Sequence, residues 1–219
     1  MFSDTDRAAL ERRFASMADP ITLLVFADDG PISRQLTELA NALAAASPSK
    51  LRVEIQGVDG GRNLRMRELK LDHWPVMMPT KADFSRIRYY GVPAGYEIAP
   101  MVEGLVELSA SKTAISPKAR EALGTVRRKA NIKVFVLPTC HFCPIVAKHA
   151  YRAAIESKNV SVDVIDTQMF PDLATRHAVM GVPKVILNDN LDITGAMDEI
   201  EFFNKLRDSD HALLDSMYG

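Results

Sequence analysis

The sequence predicts an α/β protein with two similar units in tandem, each a mixed central sheet flanked by helices. Short apolar segments of strand length alternate with longer amphipathic segments, which favours sheets with parallel strand pairs covered by helices. The order α-β-α-β-α-β-β-α occurs twice, and the hairpin near the end of each copy makes its sheet mixed. An internal duplication is the simplest explanation of this order, with chance agreement between two small α/β units as the alternative.

The elements of the first unit follow from apolar periodicity and from turn residues. Helices are predicted at 4–17, 32–46, 62–71 and 98–108, and strands at 21–26, 51–55, 76–78 and 86–90. The glycine-containing segment at 91–96 is predicted to form a turn, because no strand–glycine–helix pattern of a phosphate-binding loop surrounds it.

The second unit begins after a small, polar segment at 109–117, which is the best linker candidate. We therefore predict domains at 1–112 and 113–219. Ser116 and Pro117 are a typical N-cap and first residue of a helix. Helices are predicted at 117–129, 142–157, 172–179 and 199–208, and strands at 132–137, 160–165, 184–187 and 192–194.

The composition is that of an ordinary globular protein, with 47% hydrophobic and 25% charged residues in a chain of 219. The formal net charge of −1 predicts no attraction to nucleic acid or to an anionic membrane surface. No apolar run approaches the roughly 20 residues that span a bilayer. The charged N-terminus has no apolar signal-peptide core, so we expect a cytoplasmic protein.

The two cysteines of the chain, Cys140 and Cys143, stand directly after a predicted strand and at the start of a predicted helix. Free N–H groups at a helix N-terminus stabilise a thiolate, which is the nucleophile of disulfide exchange. Two intervening residues let both sulfurs meet across the first helical turn. Cys140 at the exposed tip is predicted to attack a disulfide and Cys143 to resolve the product. A protonated His141 would favour the thiolate further, although a solvent-facing spacer is the alternative for this residue.

Two other interpretations of the cysteine pair stay open. A zinc site would need more ligands than two thiolates, so His141, His149 or His177 would have to contribute. An inert structural pair is the third interpretation. The strand–motif–helix context favours redox chemistry, and neither a metal nor another cofactor is predicted.

The first unit has no thiols at the matching positions, which are occupied by Gly30 and Ser33. It is therefore predicted to be redox-inactive. Pro75 and Pro183 stand at corresponding places before the two hairpins. The first unit thus either keeps a peptide-binding groove or serves as a scaffold for its active partner.

Three segments carry a resemblance to a known family: TCHFCP at 139–144, VMGVP at 179–183 and YGVPAGYE at 90–97. With the duplicated layout, the chain resembles tandem thioredoxin-fold protein disulfide oxidoreductases, also described as glutaredoxin-like. It is especially similar to the N-terminal domain of the flavoprotein component of alkyl hydroperoxide reductase. That domain also has cysteines only in its second unit.

The resemblance implies that Pro183 is cis and faces the cysteine pair, so that the backbone of Val182 pairs with a bound extended peptide. Val182, Pro183 and His141 are accordingly predicted to bind substrate, whereas Lys184 is predicted to be a solvated strand residue. The implied activity is that of a thiol–disulfide oxidoreductase. It would take electrons from a separate flavoprotein reductase and pass them to a peroxiredoxin or another disulfide-containing protein. A redox-inactive module that holds peptides in tandem grooves is the alternative.

One feature of many thioredoxins is missing, namely a buried carboxylate on the strand before the cysteines. Val134 stands at that position, with Lys133 beside it. Water or another group is therefore expected to transfer the proton during resolution.

Overall fold

The computed structural model describes residues 2–218, with side chains through Ser209, so Met1 and Gly219 at the ends of the two predicted domains lie outside it. The helices are α1 (Asp4–Phe14), α2 (Pro31–Ala45), α3 (Leu64–Glu68), α4 (Ile98–Ala110), α5 (Pro117–Gly124), α6 (Cys143–Glu156), α7 (Pro171–Arg176) and α8 (Glu199–Tyr218). The strands are β1 (Ile21–Ala27), β2 (Leu51–Gly57), β3 (Val76–Thr80), β4 (Ile87–Tyr90), β5 (Ala130–Val136), β6 (Val160–Asp166), β7 (Lys184–Leu187) and β8 (Leu191–Thr194).

These strands form one continuous sheet in the order β2-β1-β3-β4-β6-β5-β7-β8. In the first half β1 lies between its parallel partner β2 and its antiparallel partner β3, and β5 lies in the same way between β6 and β7. The halves meet where β4 and β6 pair in parallel, from Ile87↔Val162 to Tyr90↔Ile165. The mixed sheet and its repeated order confirm the predicted fold class. The division into domains 1–112 and 113–219 falls between α4 and α5 and stays a prediction.

The larger apolar core lies on the face of the sheet that α4 and α6 cover together with four other helices. α4 belongs to the first half and α6 to the second, and the two pack against each other. Gly104 of α4 lies against Tyr151 of α6 at this contact, where a Cβ atom would lie 3.4 Å from Cδ2 of Tyr151. Since β4, β6 and β5 run parallel, their carboxyl ends and the N-termini of α4 and α6 meet at one edge of the sheet.

Local signals place the helix starts better than the helix ends. The predicted cap is present on α5, where Ser116 Oγ accepts a hydrogen bond from Ala119 N at 3.2 Å. α5 ends at Gly124 instead of 129, because glycine is a weak helix former and Thr125 Oγ1 donates to the Ala122 carbonyl at 2.7 Å. α8 continues past the predicted end at 208. None of the described helices combines the length and apolar character required to cross a bilayer.

Candidate functional site

Cys140 and Cys143 lie at the carboxyl edge of the sheet, where a turn joins β5 to α6. α6 begins at Cys143, with Pro144 in its first turn. Cys140 is partly exposed, Cys143 is fully buried, and both are free thiols. The backbone N–H of Cys143 donates a hydrogen bond to Cys140 Sγ over 3.1 Å. Cys140 is therefore the accessible sulfur, and Cys143 lies behind it.

The buried position of Cys143 decides its protonation state. Burial raises the pKa of the Cys143 thiol, and the hydrogen-bonding contact with Cys140 raises it further, as does the nearby charge of Glu97. Cys143 is thus a protonated thiol at neutral pH. Any reaction that uses it as a nucleophile needs a group that removes its proton.

The loop before β7 faces the cysteine pair. The Val182–Pro183 peptide bond is cis, in agreement with the resemblance. The Cys140 thiol points at the Val182 carbonyl, with 3.8 Å between Sγ and the oxygen. The structure therefore brings together Cys140, Cys143, Val182 and Pro183. These four residues were predicted from the sequence as site residues, although the two segments lie about forty residues apart along the chain.

Lys184, the residue after Pro183, is buried and not solvated, so that sequence prediction was wrong. Its Nζ donates to the carbonyls of His177 at 2.7 Å and Ala178 at 3.3 Å, and it forms an ion pair with Asp192 at 2.7 Å. These partners offset the cost of burying an ammonium group. Lys184 thereby ties the end of α7 to the strand that follows the cis-proline.

Exposed apolar side chains flank both loops of the site. Phe142 is 62% exposed beside the cysteines, and Met180 is 95% exposed beside the proline loop. His141 is exposed as well, and its ring lies 4.2 Å from the ring of Tyr96, centroid to centroid. Tyr96 belongs to the first half of the chain, so both halves contribute to the surface around Cys140. The substrate-binding role of His141 stays a prediction.

Glu97 is the residue of this site that sequence reasoning missed. It stands at the N-cap position of α4 without making a capping hydrogen bond, is fully buried, and neither of its carboxyl oxygens has a hydrogen-bond partner. Burial, together with the charge of Asp166, raises the pKa of Glu97 to about 8. The short 3-10 turn Gly95–Glu97 packs on α6, which brings this carboxyl group close to Cys143. Position 134 lacks a carboxyl group, whereas the other half of the chain has this buried one, whose charge acts on Cys143.

The sequence contained one signal for Glu97, since it closes the YGVPAGYE segment of 90–97. Residues 91–96 of that segment were predicted only as a turn, and the structure has a bend and the 3-10 turn Gly95–Glu97 there. Its contact with the cysteine loop depends on Tyr96 N, which donates to the Pro138 carbonyl at 3.0 Å. Nothing local in the sequence indicates this contact between residues of different halves.

Replacing Gly95 by alanine is expected to disturb this contact. Gly95 has φ of +54°, and a Cβ atom there would lie 2.4 Å from the Pro138 carbonyl oxygen. We expect the free energy of unfolding to fall by about 2 kcal/mol, measured by urea denaturation. Gly57→Ala is the matched control, because a Cβ at Gly57 meets nothing within 4 Å. Equal stability of the two variants would contradict the close approach of the two segments.

In the first half, the position that corresponds to the cysteine site is held by hydrogen bonds to the side chain of Asp28. Asp28 Oδ1 accepts from Ser33 Oγ at 2.5 Å and from Gly30 N at 2.9 Å, and Asp28 Oδ2 accepts from Trp74 Nε1 at 3.1 Å. The Ser33 hydroxyl, followed by the Gly30 N–H, lowers the pKa of Asp28. The Trp74–Pro75 bond is also cis. The Asp28 carboxylate thus takes up the hydrogen-bond donors of Gly30, Ser33 and Trp74, which leaves them unavailable to a bound peptide. This favours a scaffold role for the first unit.

The described residues contain no group of three His, Cys, Asp or Glu side chains placed to hold a metal ion. His149 packs on Phe202, with ring centroids 5.6 Å apart, and His177 packs on Phe135 at 5.3 Å. The histidines considered as zinc ligands therefore make other contacts, and within the described part of the chain none joins the cysteine pair in such a group.

The fold and the site define the class: two repeated thioredoxin-fold units share one sheet, and the second carries a dithiol at a helix start opposite a cis-proline. Residues 130–207 match the family described as Thioredoxin domain. A probable thioredoxin of Methanothermobacter thermautotrophicus is 30% identical over 79 residues, which cover 36% of this chain and 93% of that protein. The chain belongs to the thioredoxin family.

Other relatives are similar to this chain over both of its halves. The F component of alkyl hydroperoxide reductase from Pseudomonas putida is 25% identical over 206 residues, which cover 94% of this chain but only 37% of that protein. The chain thus spans little more than a third of the length of this relative.

Two crystal structures share the tandem fold. The N-terminal domain of alkyl hydroperoxide reductase AhpF from Enterococcus faecalis has a TM-score of 0.86 at 23% identity, covering 94% of this chain and 100% of that one. A protein disulfide oxidoreductase from Aeropyrum pernix has a TM-score of 0.86 at 22% identity, covering 96% and 94%. These matches confirm the resemblance and its tandem fold.

Proposed function

We propose that the chain is a thiol–disulfide oxidoreductase in which Cys140 attacks and Cys143 resolves. The observation that carries this proposal is the asymmetry of the pair: Cys140 Sγ is accessible and receives the Cys143 N–H at 3.1 Å, whereas Cys143 is buried. A thiolate on Cys140 is stabilised by that N–H and by the N-terminus of α6. Because Cys143 is buried, it cannot attack a substrate disulfide in solution, but it can attack a mixed disulfide that has formed on Cys140.

The reaction proceeds in two exchanges. The Cys140 thiolate attacks one sulfur of a substrate disulfide, forms a mixed disulfide, and releases the other substrate sulfur as a thiolate. Cys143 then loses its proton and attacks Cys140 Sγ, which forms the Cys140–Cys143 disulfide and expels the second substrate thiolate. Two electrons pass to the substrate, whose two sulfurs take up protons. A dithiol reductant then reduces the Cys140–Cys143 disulfide by the same exchange chemistry and is itself oxidised to a disulfide.

Glu97 is the proposed acceptor of the Cys143 proton. It is a buried carboxyl group without a hydrogen-bond partner, and its charge acts on Cys143. A general base works best when its pKa lies near the working pH, and the pKa of Glu97 is about 8. The ionised fraction of Glu97 grows as the pH rises toward this value, so the resolving step accelerates over the same range.

Replacing Glu97 by glutamine is expected to slow the resolving step about a hundredfold, the lower end of what a general base contributes. The acceleration between pH 6 and about 8 should disappear with it. Stopped-flow measurement of a single turnover separates this step from the attack of Cys140, which should keep its rate. Glu103→Gln on α4, the helix that follows Glu97, is the matched control, because Glu103 forms an ion pair with Lys148 near the surface. An unchanged pH profile in Glu97→Gln would remove Glu97 from the mechanism.

The proposed substrate is a folded protein with a disulfide. The exposed side chains of Tyr96, Phe142, Ile145 and Met180 supply apolar contact area around Cys140. The similarity to the F component of alkyl hydroperoxide reductase suggests a peroxiredoxin as acceptor and a flavoprotein reductase as electron donor. A reducing compartment, with the cytoplasm as the proposed location, suits an exchange-active pair of free thiols.

A redox titration against glutathione tests the proposed activity directly. The cysteine pair should titrate as one two-electron couple between the dithiol and an intramolecular disulfide. Alkylation of the remaining free thiols, followed by mass spectrometry, measures the fraction of each form. A second assay adds a flavoprotein reductase, a peroxiredoxin and hydroperoxide, and measures nicotinamide oxidation that depends on this chain. A pair that does not cycle with glutathione would end the oxidoreductase proposal, whereas cycling without peroxide turnover would contradict only the proposed partners.

A further inference from the structure

A second buried carboxyl group, Asp166, borders the start of the segment 91–97 that connects β4 to α4 and ends in Glu97. It ends β6 and is fully buried. A Cβ atom on Gly91 would approach the Asp166 Cβ to 3.0 Å, so Asp166 lies against the first residue after β4. Tyr89 pairs with Val164, two residues before Asp166, and the alternation of side chains along a strand puts Tyr89 and Asp166 on one face of the sheet. This is the face that α4 and α6 cover.

The ionisable groups that interact electrostatically with Glu97 come from three elements: Tyr89 on β4, Asp166 on β6, and Cys143 and Tyr151 on α6. Both tyrosine hydroxyls, both Glu97 oxygens and Asp166 Oδ2 are buried without a hydrogen-bond partner. Burial raises the pKa of both tyrosines, which therefore stay neutral. Among the described residues, no lysine, arginine or histidine charge acts on either carboxyl group.

The two carboxyl groups differ in what stabilises their charge. Asp166 Oδ1 accepts backbone N–H groups from Gln168 at 2.9 Å and from Met169 at 3.3 Å, whereas Glu97 accepts none. Burial raises the pKa of Asp166, but these two N–H groups oppose the rise. Two buried carboxylates without a cation do not ionise together at neutral pH. The charge therefore resides on Asp166, and the proton on Glu97.

We propose that Asp166 is a positioning residue for the resolving step: its carboxylate, held as an anion by the backbone, keeps the proton on Glu97 and sets the pH at which Glu97 accepts the proton of Cys143. This inference rests on the proposed function. It assigns to Asp166 a control over proton transfer and no contact with the substrate.

The sign of the effect follows from the charge. Removing the negative charge at position 166 makes Glu97 easier to ionise, so a larger fraction of Glu97 is a base below pH 8. Asp166→Asn keeps an oxygen that can accept the two backbone N–H groups. We therefore expect this variant to resolve faster than the wild type at pH 6, by up to about tenfold, with the midpoint of the pH profile lowered by roughly one unit.

The experiment uses the reduced full chain and an aromatic disulfide, dithiobis(nitrobenzoate), under single-turnover conditions. The first release of coloured thiolate reports the attack by Cys140, and the second reports the resolving step of Cys143. The pH profile of the second phase is measured for the wild type, Asp166→Asn and Glu97→Gln, and for the double variant. Asp172→Asn, an exposed carboxylate on α7, is the matched control.

The expected result is a lowered midpoint in Asp166→Asn, no change in Asp172→Asn, and no further effect of Asp166→Asn when Glu97 is already glutamine. A slower second phase with an unmoved midpoint would assign Asp166 a purely structural role and overturn the inference. An Asp166→Asn effect that persists with Glu97→Gln would overturn it as well. Absence of a second phase in the wild type would instead refute the proposed function, so the two failures are distinguishable.

Discussion

Replacing Cys140 by serine is expected to lower the rate of disulfide reduction about a thousandfold or more, because the variant has no accessible thiol. Cys143 cannot take over the attack, since it is buried and burial raises its pKa. The measurement is the reduction of a protein disulfide such as that of insulin, with dithiothreitol as the source of electrons. The free energy of unfolding should change little, because serine nearly matches cysteine in size.

Cys143→Ser is the complementary variant. It should still attack, and then accumulate a mixed disulfide with the substrate through Cys140, because nothing remains to resolve it. Non-reducing electrophoresis and mass spectrometry of the linked peptide identify the bond. A mixed disulfide through position 143 in Cys140→Ser, formed at the wild-type rate, would reverse the two roles. Inactivity of both variants without any trapped species would argue against covalent exchange.

Replacing Arg152 by methionine is expected to reduce the free energy of unfolding by about 3 kcal/mol. Arg152 on α6 donates to Glu107 on α4 from Nε, 3.0 Å from each carboxyl oxygen, and from Nη2 at 2.6 Å. Both side chains are less than 15% exposed. Without the guanidinium group, Glu107 would keep a largely buried charge without its ion-pair partner. Urea denaturation of the two variants, Arg152→Met and the control below, measures the loss.

The matched control is Arg128→Met, because Arg128 is exposed before β5 and its replacement should change stability by no more than about 0.5 kcal/mol. Replacing Glu107 by leucine together with Arg152→Met should restore part of the loss, since Glu107 then leaves no unpaired charge and only the longer contact of Arg152 with Glu199, at 3.9 Å, is lost. A loss below about 1 kcal/mol in Arg152→Met would mean that the pair behaves like an exposed salt bridge. The ion pair joins α4 of the first half to α6 of the second, so we expect both halves of the chain to unfold at a lower urea concentration in Arg152→Met.

The strands and the cysteine site were predictable because their signals are local. The apolar run of β7 predicted the observed strand with the same bounds, and Ser116 with Pro117 placed the start of α5. The two-residue spacing of Cys140 and Cys143 needs only the geometry of a helix start. Pro183 was added by resemblance, and its cis bond beside Cys140 is present.

The residues that were missed or misassigned depend on contacts between distant segments. Lys184 looks like a solvated strand residue until the carbonyls after α7 and the Asp192 carboxylate surround its ammonium group. Glu97 stands in a turn of the first half, and only the packing of that turn on α6 makes it a buried neighbour of Cys143. Burial, which raises its pKa to about 8, is a property of this packing.

The sequence by itself determined that the chain has two similar α/β units and that the second alone carries thiols, Cys140 and Cys143, at a helix start. Periodicity and motif spacing carry that information because each acts within a few residues along the chain. Only the tertiary structure decided that the units share one sheet, through the pairing of β4 with β6. The same pairing brings Glu97 and Asp166, two carboxyl groups from different halves, to the buried side of the cysteine pair. Burial raises the pKa of both groups, and the charge of Asp166 raises that of Glu97 further, which no local pattern in the sequence encodes.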